Sequence, residues 1–170
     1  MIEIEYNNEV FIDKDFSNIN YSNSKFYDVT FDNCNLSNTI IDNAHLQNVV
    51  FKNCKIQGID FSKINKLFLK IEMKNCFLRN CFFSKLDLKN TTFQDSKIYD
   101  CDFNNCNLSN SCFENCDLNE TIFNECNLSK SNFNNAINYF IDIEKNNIKN
   151  AIFSYPEVLN LLDKYNLKIN

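Results

Sequence analysis

The chain has 170 residues, with 17 Lys and Arg against 22 Asp and Glu, 17 Phe, 9 Cys, no Trp, and one Gly and one Pro. That length fits a single domain, and a net charge of −5 argues against a nucleic-acid ligand held through its phosphates. No segment approaches a membrane span in length, and the acidic N-terminus lacks the basic and apolar regions of a secretion signal, so a cytoplasmic protein with reduced thiols is expected.

Gly and Pro are nearly absent, so the turns must be of a kind that Asn, Asp and Ser can make unaided. From the N-terminus, Ile2, Ile4 and Tyr6 alternate with acidic residues and are expected to form a strand closing that end. A first repeat block spans 9–63. Phe11, Phe16, Tyr21, Phe26, Phe31, Leu36, Ile41, Leu46, Phe51, Ile56 and Phe61 fall at every fifth position, with small residues such as Ser24, Cys34, Ala44 and Cys54 two places before. The register slips by two residues near 64–75, where Phe68 is read as the centre of a repeat after a two-residue insertion and Lys66 stands where a small residue belongs. A second block, 76–153, restores the rule through Leu78, Phe83, Leu88, Phe93, Ile98, Phe103, Leu108, Phe113, Leu118, Phe123, Leu128 and Phe133, then more loosely through Ile143, Ile148 and Phe153. At the end, Ser154 and Glu157 have capping-box spacing. They precede Val158, Leu161, Leu162 and Tyr165, an i, i+3, i+4, i+7 pattern that predicts an amphipathic α-helix over about 155–166, with Leu167 and Ile169 beyond it. This helix either lids the last repeats or supplies a dimer contact.

A period of five suits neither regular element. On a helix it advances the phase by about 140°, wrapping apolar residues around the whole cylinder. On a straight strand an odd period sends successive large residues to opposite faces. A short extended segment with a bend every five residues points the small and large residues inward and the others out. Four such sides close a square coil, with residues twenty apart stacked at about 4.8 Å. The whole chain, 1–170, is then one all-β domain with one continuous core.

This pattern resembles the pentapeptide-repeat family: Cys106-Asn107-Leu108-Ser109-Asn110 and Cys116-Asp117-Leu118-Asn119-Glu120 match its order of small, any, Leu or Phe, polar, polar. The resemblance implies a right-handed quadrilateral β-helix with a short C-terminal capping α-helix. The segment from Asn147 to Ser154 with the Leu161-Leu162 helix is similar to the Qnr-like and McbG-like members. It implies a DNA mimic that binds DNA gyrase or topoisomerase IV and modulates quinolone or toxin sensitivity, and a homodimer through the C-terminal end.

Chemistry is sparse in the sequence. Cys34, Cys54, Cys76, Cys81, Cys101, Cys106, Cys116 and Cys126 occupy the small inward position, where Cys acts as a compact hydrophobe; Cys112 is expected to point outward. The single histidine, His45, also falls outward. No catalytic pair, phosphate loop, cofactor motif or metal-ligand spacing emerges, so no enzyme, cofactor or metal site is expected. Between Ile98 and Ser129 lie six carboxylates and no Lys or Arg. The candidate partner surface is Asp100, Asp102, Asp117, Glu120 and Asp142, with Asp142 expected two coils above Asp102. Lys63, Lys66, Lys70, Lys74, Arg79, Lys85 and Lys89 crowd the slip. Two readings stay open: solvated patches on a rigid cytoplasmic scaffold with an unidentified protein partner, or an acidic edge imitating a phosphate backbone. Val158, Leu161, Leu162 and Tyr165 are the candidate cap or dimer contact.

Overall fold

The structure, a computed structural model, describes residues 3–168; Ile2 and Ile169, assigned above to the terminal elements, lie outside them. The chain turns a corner once per five residues, and the residue at the corner takes the left-handed conformation. Asn105, Asn110, Asn115, Glu120, Glu125 and Lys130 all have φ between 53° and 59°. Asn and Asp are the side chains that tolerate this region best, which is how the chain makes its turns with a single glycine. That glycine, Gly58, occupies a corner at φ 67°, where a Cβ would meet Asn38 Oδ1 at 2.5 Å.

Four sides make a coil, and about seven coils stack as a parallel β-solenoid. Residues twenty apart pair, as in Phe26 with Leu46, Phe83 with Phe103 and Phe103 with Phe123. The sides come in two forms, and an Asn or Asp at the second residue of the repeat can favour the tighter one. Asp15, Asn35, Asn107 and Asn127 each accept the backbone N–H of the serine two places on, at 2.9–3.3 Å, and those sides tighten into turns. Where that residue is Lys25, Thr30, Lys97 or Ile122, the side stays a three-residue strand. Corner asparagines also bond along the axis: Asn33 Nδ2 donates to Asp13 at 2.6 Å, Asn43 to Asn23 and Asn115 to Asp95 at 2.8 Å.

Inside, the phenylalanines form columns. Phe83, Phe103 and Phe123 stack at centroid distances of 4.6 and 5.2 Å, and Phe93, Phe113 and Phe133 at 4.9 Å. Adjacent columns meet edge-on, at 87–89° where Phe103 touches Phe93 and Phe113. The small position demands a compact side chain, which Val29, Ala44 and Val49 supply, and it favours a donor, because the carbonyl of the large residue on the preceding coil faces it. Cys116 Sγ donates to Phe93 O at 2.8 Å, Cys126 to Phe103 O at 3.2 Å, and Thr121 Oγ1 to Ile98 O at 2.6 Å. Cys, Ser and Thr meet both demands.

Three departures correct the sequence reading. At the slip, His45 still pairs with Asn65, twenty apart, but Val49 pairs with Ile71 and Phe51 with Met73, twenty-two apart. Phe68 does not centre a repeat: it is 70% exposed at φ 58°, and Leu69 packs against the core instead. The cause is Lys66, which falls where the large apolar residue belongs. Its Nζ swings out to Lys85 O at 3.0 Å, and the two extra residues bring Leu69 inward. In the last coil, Ile122 pairs with Phe140 and Phe123 with Ile141, only eighteen apart, before Asn127 pairs with Asn147 at twenty again. Ile141, rather than Ile143, therefore fills the core beside Phe123, and Asn146 takes the small position. Its Nδ2 donates to Phe123 O and its Oδ1 accepts from Cys126 N, both at 2.9 Å.

The third departure concerns the ends. Glu5–Asn7 pairs with Lys25–Tyr27 and is the first side of the first coil, not a separate closing strand. Tyr6, Phe11 and Phe16 are accordingly half-buried at an open end of the aromatic core. The C-terminal helix, Glu157–Tyr165, is 3₁₀ and not α. The capping box does not form: Pro156 holds the cap position, and Ser154 Oγ accepts the Asn135 N–H at 2.9 Å. With three residues per turn, Val158, Leu161 and Lys164 share one face. Leu161 is buried and Val158 packs on the core, while Leu162 is half-buried and Tyr165 more exposed.

Candidate partner surface

The five candidate carboxylates stand on the last coils, but they do not form a row of free charges. Asp100 sits at a left-handed corner and its Oδ2 meets Arg79 Nε at 3.0 Å. Asp117 accepts the Tyr99 hydroxyl at 2.5 Å and Asn138 Nδ2 at 2.7 Å; the hydrogen bond to Asp117 pushes the Tyr99 phenol up from its ordinary range. Glu120 occupies a corner, is exposed, and enters no ion pair among the described residues. Asp142 does not stack above Asp102. The shortened last coil places Ile122 and then Phe140 there, and aligns Asp142 with Asn124.

Asp142 belongs to the cap. Lys164 Nζ reaches Asp142 Oδ1 at 2.7 Å and Glu144 Oε2 at 2.8 Å, and Tyr165 OH donates to Glu144. Lys164 is the main reason both carboxyls lie below the usual carboxylate range. A carboxyl depressed by folding stabilises the fold above its ordinary pKa, and that contribution is lost as pH falls through the depressed folded value. Lys164→Gln is therefore expected to lower the melting temperature at pH 7 and to flatten its fall between pH 5 and 3. A parallel acid series of thermal melts on both proteins checks this.

Asp102 is the odd one. It holds the second position of its side, where the other Asn and Asp residues named above cap a turn, yet its side is the strand Asp102–Asn104. Its Oδ1 is buried without a partner, and burial pushes the carboxyl up. Its ladder neighbours are Phe82 before it and Ile122 after it, both exposed. The sequence reading missed these outward apolar side chains. The signal was present in the second repeat position, where Ile40, Phe82 and Ile122 recur on every second coil once the slip is allowed for.

The remaining candidates resolve simply. The eight inward cysteines are buried and free, and Cys112 is half-buried on the outside. Burial pushes the Cys116 thiol up to about 12, so it is protonated and a poor nucleophile at neutral pH. His45 lies outward on the strand His45–Gln47. Among the described residues no three His, Cys, Asp or Glu side chains converge as metal ligands, and no helix is long and apolar enough to cross a membrane.

Two family models match the sequence: a pentapeptide repeat region over residues 7–72, and pentapeptide repeats (8 copies) over 72–105 and 101–137. Among solved structures, trypsin-treated QnrB1, a plasmid-mediated fluoroquinolone resistance protein, is 19% identical. The match covers 98% of this chain and 90% of that one, with a TM-score of 0.40. HetL, a pentapeptide repeat protein involved in heterocyst differentiation regulation from the cyanobacterium Nostoc, is 12% identical over 88% of this chain and 85% of that one, with a TM-score of 0.40. No curated protein sequence matches it.

Proposed function

The chain belongs to the pentapeptide-repeat family, and on that premise we propose that it is a non-catalytic rod that binds a protein partner through its outer faces. The observation that carries this reading is the filled axis. Stacked Phe, Leu and Ile columns run from coil to coil, leaving the outward side chains as the surface on which recognition can act. Such a core fixes those outward residues on a rigid ladder, which lowers the entropy lost on binding.

The specific partner in this reading is DNA gyrase or topoisomerase IV, with the acidic last coils standing in for a DNA backbone. It draws on the acidic balance of the chain and on the similarity of its C-terminal segment to the Qnr-like and McbG-like members. A supercoiling assay with and without a quinolone tests it, and no effect at micromolar protein ends it. A variant with Asp100, Asp102, Asp117 and Glu120 changed to Asn or Gln tests the acidic edge, which is idle if inhibition survives. A second reading, a cytoplasmic scaffold for another protein, is favoured by the prior engagement of Asp100 by Arg79 and of Asp142 by Lys164. In either reading two copies meet at the C-terminal end, where Tyr165 and Leu167 are exposed.

A further inference from the structure

One face of the solenoid carries a row of large exposed apolar side chains interrupted by carboxylates. Its ladder runs Asp60, Phe82, Asp102, Ile122, Phe140, one residue per coil, and Ile40 flanks Asp60 on the coil before. Phe82 is 48%, Ile122 57% and Phe140 58% exposed. Exposed apolar side chains gathered on one face, with Ile122 and Phe140 adjacent on the ladder, mark an interaction site more often than chance surface. The two carboxylates in the row differ. Asp60 already holds the Ser62 N–H and lies 3.5 Å from Lys63 Nζ. Asp102 has a buried oxygen and no partner. The chain places no Lys or Arg between Ile98 and Ser129. Arg79 is committed to Asp100, and Lys85 and Lys145, which border this face, form no ion pair with Asp102 among the described residues.

We propose that this face docks a basic amphipathic helix of a partner protein, whose arginine or lysine enters between Phe82 and Ile122 and pairs with Asp102. The dimensions agree. Strands of three residues make a face about 10 Å wide, against a helix diameter of about 10–12 Å. Side chains at i, i+4 and i+7 of a helix recur about every 5–6 Å, close to the coil spacing of about 4.8 Å. A row of apolar, basic and apolar side chains thus meets Phe82, Asp102 and Ile122 in register. Arginine adds a forked pair of donors to the carboxylate. A second copy meeting this face with its own is a poor occupant, because it adds another Asp60 and Asp102 to the carboxylates already there. An uncompensated carboxylate weakens a free fold and gains its partner on binding, a pattern typical of functional positions. The inference rests on the binding-rod reading but not on the topoisomerase as the partner.

The test uses the whole chain and a synthetic 18-residue helical peptide with Leu at i and i+7 and Arg at i+4 on a Gln and Lys background. A second peptide carries Glu in place of Arg. Fluorescence anisotropy at physiological salt is expected to show the Arg peptide binding at least about tenfold more tightly than the Glu peptide. Asp102→Asn and Ile122→Ser are each expected to weaken it about tenfold, while Glu72→Gln, on the strand Ile71–Lys74 of a different side, leaves it unchanged. Asp102→Asn is also expected to melt no lower than the parent, since it removes a charge without a partner. A lower melting temperature would mean that Asp102 is held from within, and would overturn the proposal. So would equal affinity for the two peptides, no binding of the Arg peptide, or indifference to Asp102→Asn. If Asp102→Asn and Ile122→Ser bind the Arg peptide as the parent does and still inhibit supercoiling, this face is idle and the rod reading stands. If neither peptide nor topoisomerase binds, the rod reading loses its support as well.

Discussion

Replacing Phe103 with alanine is expected to destabilise the fold by about 3–5 kcal/mol, a large share of the roughly 5–15 kcal/mol that holds a typical domain together. Phe103 is fully buried. Its ring stacks on Phe83 and Phe123 and meets Phe93 and Phe113 edge-on, so truncation empties a site that four other rings share. Those rings are anchored on ladders of fixed spacing and have little freedom to collapse into the gap. Phe103→Asp is expected to yield no folded protein. The adjacent residue provides the contrast. Asn104 faces outward, its Oδ1 accepting from Asn105 at 2.7 Å and Asn124 at 3.4 Å, and Asn104→Asp is expected to shift stability by no more than about 0.5 kcal/mol. Urea titrations of the three variants and the parent check this. Equal tolerance at 103 and 104 would refute the alternation of inward and outward positions on which the coil depends.

The period of five was legible because it recurs often enough to leave one geometry that buries every large residue. The inward cysteines followed from the same count. What the sequence concealed lies where two residues are gained or lost. At the first slip, Leu67, Phe68 and Leu69 are all apolar, so hydrophobicity could not say which turns inward; Lys66 and the left-handed backbone of Phe68 decided it. In the last coil a loss of two residues around Tyr139 is offset by a gain before Asn146. Ile141 and Ile143 both fit an apolar slot, and the sequence keeps its apparent phase across the defect. The expected stacking of Asp142 on Asp102 failed for that reason alone. At the C-terminus, Val158 and Leu161 suit both helix types. The choice of 3₁₀ puts Lys164 over Asp142 and Glu144, a contact between residues twenty or more apart that no local pattern encodes. The apolar row beside Asp102 was overlooked because the second repeat position admits any residue, so nothing in the repeat itself draws attention to it.

The corners should respond in opposite directions to two changes at the same backbone geometry. Asn110 has φ 55° and donates its N–H to Ser129 O at 2.9 Å. Proline there is fixed near −65° and has no N–H, so Asn110→Pro is expected to cost at least about 3 kcal/mol and to break the rung between two coils. Asn110→Gly keeps both the conformation and the bond, and is expected to stay within about 1 kcal/mol of the parent. Phe68 shares the left-handed conformation but lacks the local hydrogen bonding that reconciles Asn to it, and its exposed ring contributes little burial. Phe68→Gly is therefore expected to stabilise the protein by about 1 kcal/mol, net of the backbone entropy that glycine adds to the unfolded chain. Thermal melts followed by circular dichroism separate these outcomes. A proline tolerated at 110 would show that the corner is not set by a left-handed residue, and a destabilised Phe68→Gly would show that the Phe68 ring is held by contacts the fold does use.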